Sequence, residues 1–202
     1  MFYFGPAMGF LPGCMHMLTL ETQRLLLKPH TLDNAEKLNA WENDPELLYS
    51  NDDQPEDREP DSLEDTRQFL ERISEPRPES RIIHYAIHLK ENDEMIGYGM
   101  IALIDRYNRR CKVGITIGDK RHWGKGLAKE ALKAVISYSF DTLGLNRIGA
   151  EVYAFNDRSI RLFEGLGFRR EGVVRQSVFK KNQFVDEYNY GLLKSEWFVN
   201  KE

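Results

Sequence analysis

Apolar and polar positions along the chain follow two patterns, one typical of strands and one typical of helices. Short segments that are rich in β-branched and aromatic residues and bounded by turn residues predict strands. They are residues 25–27, 82–89, 95–104, 113–118, 148–154, 173–180 and 184–193. Helical spacing of apolar residues predicts helices from Thr31, from near Ser62, over 125–142 and over 158–166.

The segment 125–142 has the clearest helical pattern, with apolar and charged residues on opposite faces. The apolar face carries Leu127, Ala131, Leu132, Val135, Ile136 and Tyr138, and Gly144 follows as a stop signal. Short turns between most strands favour antiparallel pairing, whereas this helix crosses over between two strands and requires them to be parallel. The pattern therefore predicts an α+β fold with a mixed, mostly antiparallel sheet.

Length and composition fit a single domain. The chain has 202 residues, of which 41% are hydrophobic. Residues 1–17 are apolar, but Pro and Gly interrupt them, and no Lys or Arg precedes Arg24, which is unlike the start of a signal peptide. We predict an N-terminal extension over 1–17, with Met17 as an alternative start, and one domain over 18–202.

The charge balance and the cysteine count exclude several classes of protein. Lys plus Arg is 28 and Asp plus Glu is 32, so the net charge is −4, which argues against a nucleic-acid binder. Cys14 and Cys111 are too few for a disulfide framework and lack zinc-site spacing. No apolar run approaches the roughly 18 residues of a membrane-spanning helix. We expect a cytoplasmic protein with reduced thiols and no membrane or nucleic-acid partner.

Residues 51–65 form an acidic stretch with eight carboxylates, one Arg and two prolines. Two interpretations stay open. The stretch is either a solvated surface loop or a lip that raises the local concentration of a cationic substrate through its negative field.

Residues 121–128, RHWGKGLA, place two glycines where the strongest helix begins. A helix N-terminus offers unpaired N–H groups and partial positive charge, and glycines allow the backbone to turn sharply and approach an anion. Arg121 and Lys125 add charge. The segment is neither a Walker A loop nor a dinucleotide fingerprint, because Lys125 is followed by Gly126 and no third glycine falls near Lys129. It predicts a phosphate cradle.

The pattern Arg121-x-x-Gly124-x-Gly126 resembles the Q/R-x-x-G-x-G/A signature of the GNAT superfamily of N-acetyltransferases. Four more motifs are similar to its RimJ/RimL branch, which acetylates protein N-terminal amines, and to spermidine acetyltransferases. They are ETQRLLLK at 21–28, NDRS at 156–159, GLGF at 165–168 and EG at 171–172. The resemblance covers roughly Leu18 to Trp197.

The resemblance implies a GNAT-like three-layer fold, with helices on both faces of a sheet that splays between two central parallel strands, 113–117 and 148–154. Acetyl-CoA would be the cosubstrate, and no metal is implied. The implied coenzyme-binding residues are Ile115 and Ile117 for the pantetheine arm, Arg121, His122, Trp123, Gly124, Lys125, Gly126, Leu127 and Ala128 for the pyrophosphate, and Asn156 and Ser159 beside the arm.

The implied chemistry is direct attack of a neutral amine on the thioester, which needs a base and a proton donor. Glu151 is the candidate base, and its alternative is exposure or pairing with an Arg. Ser159, Tyr153 or water would protonate the thiolate, because Phe163 stands where many relatives carry Tyr.

Further alternatives also stay open. Asn156 is either a coenzyme contact or a helix N-cap, Ser159 faces the sulfur or only the first helical turn, and Arg158 and Arg161 reach phosphate or solvent. His84 and His88 share a strand face, but no third metal ligand is evident.

The predicted function is acetyl transfer to a primary amine, which is either a protein N-terminal amine or a small polyamine-like or drug-like amine. A non-catalytic coenzyme A sensor or interaction module, motivated by Phe163, is the alternative, and an unrelated phosphate-binding module is a third. The aromatic C-terminal segment, which includes Phe179, Phe184 and Trp197, either completes the core or forms a homodimer face.

Overall fold

The computed structural model describes residues 19–51, 58–74 and 80–199. The predicted boundary between the extension 1–17 and the domain 18–202 falls outside these residues and stays a prediction. Cys14 and residues 52–57 of the acidic stretch also lie outside them. Among the helices of the described ranges, none combines the length and apolar character needed to cross a membrane.

Eight strands and six α-helices make up the described part of the chain. The strands are β1 (Leu20–Glu21), β2 (Leu25–Lys28), β3 (Ile83–Leu89), β4 (Met95–Asp105), β5 (Arg110–Ile117), β6 (Arg147–Tyr153), β7 (Arg169–Lys180) and β8 (Gln183–Leu193). The helices are α1 (Ala35–Glu42), α2 (Pro45–Asn51), α3 (Leu63–Ser74), α4 (Leu127–Ser137), α5 (Asp157–Glu164) and α6 (Lys194–Val199).

The strands form one sheet in the order β1-β2-β3-β4-β5-β6-β8-β7. Every neighbouring pair is antiparallel except β5 and β6, which are parallel. Their pairing consists of Arg110 with Arg147, Cys111 with Ile148, and Lys112 with Gly149, although both strands continue well beyond these residues. The predicted mixed sheet with a splay between two central parallel strands is therefore confirmed.

Helix α4 covers one face of the sheet and supplies much of the core. Ala131, Leu132, Val135 and Ile136 are fully buried, as the helical pattern predicts. They pack with strand residues of β2 to β6 in one large apolar cluster. On the other face, Ala35 and Leu38 of α1 and Leu70 of α3 form a smaller cluster with Tyr98 of β4. Helices on both faces give the three layers.

The helix predicted over 125–142 is shorter and ends differently. Gly126 is its N-cap and has a left-handed backbone, with φ of 75°, so α4 begins at Leu127. Its last turn, Tyr138–Thr142, is a π-helix, and Gly144, also at positive φ, follows it. The spacing of apolar residues does not distinguish an α-helix from a π-helix, so the sequence did not predict the π-helical last turn.

Three helices rather than two lie between β2 and β3, because a further short helix, α2, begins at Pro45 after the first predicted helix has ended. The residue before a proline disfavours helical geometry. The Asp44 carboxylate then accepts hydrogen bonds from the N–H groups of Glu46 and Leu47, which starts α2.

Three histidines lie near one another where β3 meets the helical layer. His30 and His88 are buried, and His84 packs edge-on against Phe69 of α3, with ring centroids 5.4 Å apart. Burial, helped by the charges of His84 and His88, lowers the pKa of His30 to about 4. Burial also lowers the pKa values of His84 and His88. Among the described residues, no group of three or more His, Cys, Asp or Glu side chains is arranged to hold a metal ion.

We expect acid to unfold the protein partly through His30. Its folded pKa is about 4 and its ordinary value is 6.5, so the unfolded chain binds the proton more tightly between these values. As the pH falls below 6.5, proton binding to His30 in the unfolded chain therefore lowers the free energy of unfolding. The decrease is about 2 kcal/mol near pH 5 and levels off near the folded pKa. Urea unfolding measured across this range tests it. His30→Gln should show a shallower pH dependence than the wild type; identical slopes would contradict the assignment.

Candidate functional site

A cavity of about 500 Å³ opens where β5 and β6 separate. Its wall comes from β5, the loop before α4, the first turn of α4, and α5, with α2 closing one side. The predicted coenzyme residues that line it are Ile115, Ile117, His122, Trp123, Gly124, Gly126, Leu127, Ala128, Asn156 and Ser159. The structure thus brings together residues that are separated by more than thirty positions in the sequence.

The two glycines of the loop are required by its backbone. Gly124 and Gly126 both have φ of 75°, a conformation in which a β-carbon clashes with the following carbonyl oxygen. A β-carbon at Gly124 would meet no atom within 4 Å, so steric crowding does not explain the glycine there. The first-turn N–H groups of any helix lack intrahelical partners, and Leu127 and Ala128 line the cavity. This end of the cavity can bind an anion through its backbone.

The side chains around the same cavity are basic. His122, Lys129, Arg158 and Arg161 line it, and the other lining residues among the described parts of the chain are uncharged. The Arg158 guanidinium lies 4.2 Å from the centroid of the Trp123 ring, which holds it beside the glycine loop. A ligand with several phosphate groups fits this donor set. Arg158 and Arg161, which the sequence analysis expected to reach either phosphate or solvent, therefore face the cavity.

Arg121 and Lys125, the other predicted cations of the cradle, are not among the lining residues. The Arg121 guanidinium binds the Asp119 carboxylate, with Nε 3.0 Å from Oδ1, and its Nη2 lies 2.9 Å from Oε1 of Glu94. These carboxylates raise the pKa of Arg121. The Lys125 carbonyl accepts a hydrogen bond of 3.1 Å from Arg24. Both residues brace the loop against neighbouring strands in this structure.

Helix α2, which the sequence did not separate from α1, is held at both of its ends. Near its start, Nζ of Lys120 lies 2.9 Å from Oδ1 of Asp44 and 3.0 Å from Oε2 of Glu46. Near its end, Nδ2 of Asn156 donates to the Ser50 carbonyl at 3.4 Å. Leu47 and Ser50 thereby become part of the cavity wall. The signal that was available in the sequence is Asp44-Pro45, a helix-start pattern.

Lys129, Thr116 and Leu162 are further lining residues that the sequence did not indicate. Lys129 was assigned to the solvent face of α4. Its Nζ lies 3.5 Å from the position that a β-carbon would occupy at Gly165, so it reaches across to the end of α5. Its place in the first turn after the glycine loop was the signal for a role in anion binding.

Asn156 is the N-cap of α5 and also lies in the cavity wall. Its Oδ1 accepts a hydrogen bond of 3.1 Å from the Ser159 N–H, so the N-cap interpretation is confirmed. The same side chain lines the cavity, as does Ser159. Capping fixes the orientation of the amide, which leaves its nitrogen directed at α2.

The remaining predicted catalytic residues lie outside the cavity wall. Glu151 and Tyr153 share the face of β6 opposite the buried side chain of Val152, and neither is among the lining residues. The half-exposed Glu151 carboxylate forms an ion pair with Lys112 of β5. Phe163 is buried in the core, 5.1 Å from Phe168 and 6.4 Å from Tyr190 between ring centroids. The structure thus places Glu151 and Tyr153 on the far face of the splay.

A second cavity of about 380 Å³ lies between the helical layer and β4. Its wall carries the aromatic residues Trp41, Phe69 and Tyr98, the carboxylates of Glu42, Asp61 and Asp65, and the guanidinium of Arg58, which pairs with Asp61. Trp41 and Tyr98 are stacked, with centroids 6.3 Å apart. Hydrogen bonds from Ser62 lower the pKa of Asp65, which keeps it ionised at neutral pH. Leu47 lines both cavities, so α2 separates a basic site from an acidic one.

Comparison with known proteins identifies the family of the chain. The acetyltransferase (GNAT) domain matches residues 24–169. The chain is 36% identical over 182 residues to the uncharacterized N-acetyltransferase p20 of Bacillus licheniformis, which covers 90% of this chain and 99% of that protein. It is 31% identical over 127 residues to the ribosomal protein uS5-alanine N-acetyltransferase of Escherichia coli, covering 62% of this chain and 64% of that protein.

Solved structures agree on the fold. The spermidine N-acetyltransferase of Vibrio cholerae in complex with CoA and spermine has a TM-score of 0.76 at 20% identity, covering 88% of this chain and 99% of that chain. A GNAT acetyltransferase from Bacillus anthracis has a TM-score of 0.74 at 23% identity, covering 89% and 100%. The chain belongs to the GNAT acetyltransferase family and is an acetyl-CoA-dependent N-acetyltransferase.

Proposed function

We propose that the protein transfers an acetyl group from acetyl-CoA to a primary amine carried by a protein N-terminus or by a small polyamine-like or drug-like molecule. The observation that carries the proposal is the cavity at the β5–β6 splay, with its left-handed glycine loop and its basic wall. The relatives support both kinds of acceptor, since one acts on ribosomal protein uS5 and a structural neighbour binds spermine.

We propose that the phosphates of acetyl-CoA bind at the glycine loop and the start of α4. N–H groups of Gly124 to Ala128 would bind the pyrophosphate, and Lys129, Arg158 and Arg161 would neutralise the phosphate charge. The pantetheine arm would lie along Ile115 and Ile117. The Ile117 carbonyl already accepts a hydrogen bond of 2.6 Å from the Trp123 indole, so its second lone pair is the one that the arm would use.

The reaction needs a neutral amine nitrogen, which attacks the thioester carbonyl carbon while the carbon–sulfur bond breaks and the thiolate takes a proton. Glu151 remains our candidate base, with water carrying the proton because the carboxylate is outside the coenzyme cavity. The ion pair with Lys112 fixes the Glu151 carboxylate on the face from which an acceptor would approach. Ser159 or Tyr153 would return a proton to the thiolate.

Two further proposals concern location and assembly. Cys111 is buried, which raises the pKa of its thiol to about 12 and keeps it neutral, in keeping with a cytoplasmic protein. Val173, Val174, Phe179 and Phe184 of the β7–β8 hairpin are exposed apolar side chains. Such side chains grouped on one hairpin support a homodimer interface there.

Replacing Gly124 and Gly126 together by Val should weaken acetyl-CoA binding at least about tenfold, because a β-branched residue disfavours the left-handed backbone by 1–2 kcal/mol or more at each site. Calorimetric titration with acetyl-CoA measures the loss, and circular dichroism checks folding. Gly172→Ala is the matched control, since its β-carbon would meet nothing within 4 Å and it lies outside the cavity. A folded double variant with unchanged affinity would refute the cradle.

Free-thiol release from acetyl-CoA in the presence of different amines identifies the acceptor class. We expect release with one of three classes: spermidine, aminoglycoside-like amines, or peptides that begin with Ala or Ser. A response confined to the peptides would indicate a protein N-terminal acetyltransferase. Coenzyme binding without release in any class would count against the proposal and support the coenzyme A sensor.

Glu151→Gln should lower kcat by about a hundredfold or more if Glu151 is the general base, while leaving the KM for acetyl-CoA unchanged. Raising the pH should partly restore the rate, because more of the amine is then already neutral. Lys112→Met removes the other half of the ion pair and serves as the control. Equal and small losses in both variants, without rescue at high pH, would assign the pair a structural role.

A further inference from the structure

The Lys181 side chain holds its ammonium against an aromatic surface beside the coenzyme cavity. Nζ of Lys181 lies 3.9 Å from the centroid of the Tyr49 ring. Tyr49 in turn stacks on Phe155, with centroids 4.4 Å apart, and Phe155 contacts Tyr153 at 5.6 Å. Tyr49, Phe155 and Tyr153 together form what we call the aromatic platform. An ammonium is attracted to the face of such a ring through its quadrupole.

The aromatic platform is continuous with the coenzyme cavity. Tyr49 directly precedes Ser50, Phe155 directly precedes Asn156, and both of these following residues line the cavity. The hydrogen bond from Asn156 to the Ser50 carbonyl joins the two segments. The aromatic platform therefore adjoins the cavity wall, because Tyr49 and Phe155 are each the sequence neighbour of a lining residue.

The chain holds Lys181 in an unfavourable backbone conformation. Lys180 pairs with Gln183, so Lys181 and Asn182 are the two central residues of the β7–β8 turn. Both have positive φ, 46° and 59°. Turns of this kind favour Asn and Gly at these positions, and a lysine at the first one is strained. The two-residue turn requires positive φ at both central positions, so its backbone fixes where the Lys181 side chain leaves the tip of the hairpin.

The cation that the platform selects differs from the nitrogen that reacts. The attacking nitrogen must be neutral, and a neutral amine gains little from the ring quadrupole. A group held on Tyr49 is therefore a second, charged nitrogen of the same acceptor. This distinguishes linear diamines and polyamines from amines that carry a single nitrogen.

We propose that the aromatic platform binds the second ammonium of a linear diamine or polyamine acceptor, and that Lys181 occupies this place as an internal competitor until the acceptor displaces it. The proposal rests on the proposed acetyl transfer and names its acceptor class. Lys181 thereby sets the concentration at which cationic acceptors are used, while acceptors without a second charge do not compete with it.

Steady-state kinetics with a matched pair of acceptors test the proposal. The pair is putrescine and the amino alcohol of the same chain length, in which a hydroxyl replaces one amine. Lys181→Gln, which removes the charge but keeps a polar side chain, should lower the KM for putrescine about two- to fivefold and leave the KM for the amino alcohol unchanged. Tyr49→Leu should raise the KM for putrescine by a similar factor, whereas Tyr49→Phe, which keeps the ring, should have no effect.

Lys90→Gln is the matched control, because Lys90 is an exposed lysine in an ion pair with Glu21 at the opposite side of the sheet. It should leave every KM unchanged. Equal changes for both acceptors in Lys181→Gln, or a higher KM for putrescine, would overturn the proposal.

A binding measurement separates this proposal from acetyl transfer itself. With coenzyme A bound, putrescine should raise the melting temperature of Lys181→Gln more than that of the wild type, and the amino alcohol should raise neither. If neither amine is acetylated but this difference is seen, acetyl transfer to such amines fails while the cation site stands. If acetylation occurs without any difference between wild type and variant, the platform is not the site of the second ammonium.

Discussion

The pairing of β5 with β6 ends after three residue pairs, and the functional site depends on the opening that this leaves between the two strands. Beyond Lys112 and Gly149 the strands diverge, so their facing N–H and C=O groups need partners from elsewhere. Trp123 supplies one of them by donating to the Ile117 carbonyl. The amide groups of a pantetheine arm are suited to supply others, which couples the coenzyme to the backbone rather than to particular side chains.

Helix α2 converts this opening into two separate environments. Its salt bridges to Lys120 and its contacts with Asn156 hold it across the splay. Gly118, just past the end of β5, allows the Trp41 ring to approach so closely that a β-carbon there would lie 2.1 Å from it. The basic cavity thus remains on the side of the glycine loop, and the acidic, aromatic cavity remains on the side of α1 and α3. The basic wall of the larger cavity suits an anionic ligand.

The parts of this arrangement that depend on local patterns were predictable from the sequence. The apolar stripe of α4, the glycine loop and Asn156 each follow from spacing or residue type, and the structure places them as expected. The partners of charged side chains were not predictable, because they depend on tertiary distances. Arg121 turns to Asp119 and Glu94 rather than to the cavity, and Glu151 meets Lys112 across the strands. Helix α2 was not predicted, because it spans only seven residues and the apolar spacing of the first helix ends at Trp41.

The difference between local patterns and tertiary contacts also explains why the amine acceptor is harder to infer from the sequence than the acetyl donor. In the proposed arrangement acetyl-CoA would be recognised by backbone geometry, and the residues that this requires are visible in the sequence as the two glycines and the strand that precedes them. The proposed acceptor site combines residues of α2, the β6–α5 connection and the tip of the β7–β8 hairpin, which are far apart in sequence. In the described part of the chain, the feature that indicates the chemistry of the acceptor is the Lys181 ammonium on the Tyr49 ring. A site that accommodates its own lysine has already shown that it can hold an alkylammonium, and this constrains the acceptor more than the acidic composition of the neighbouring loop does.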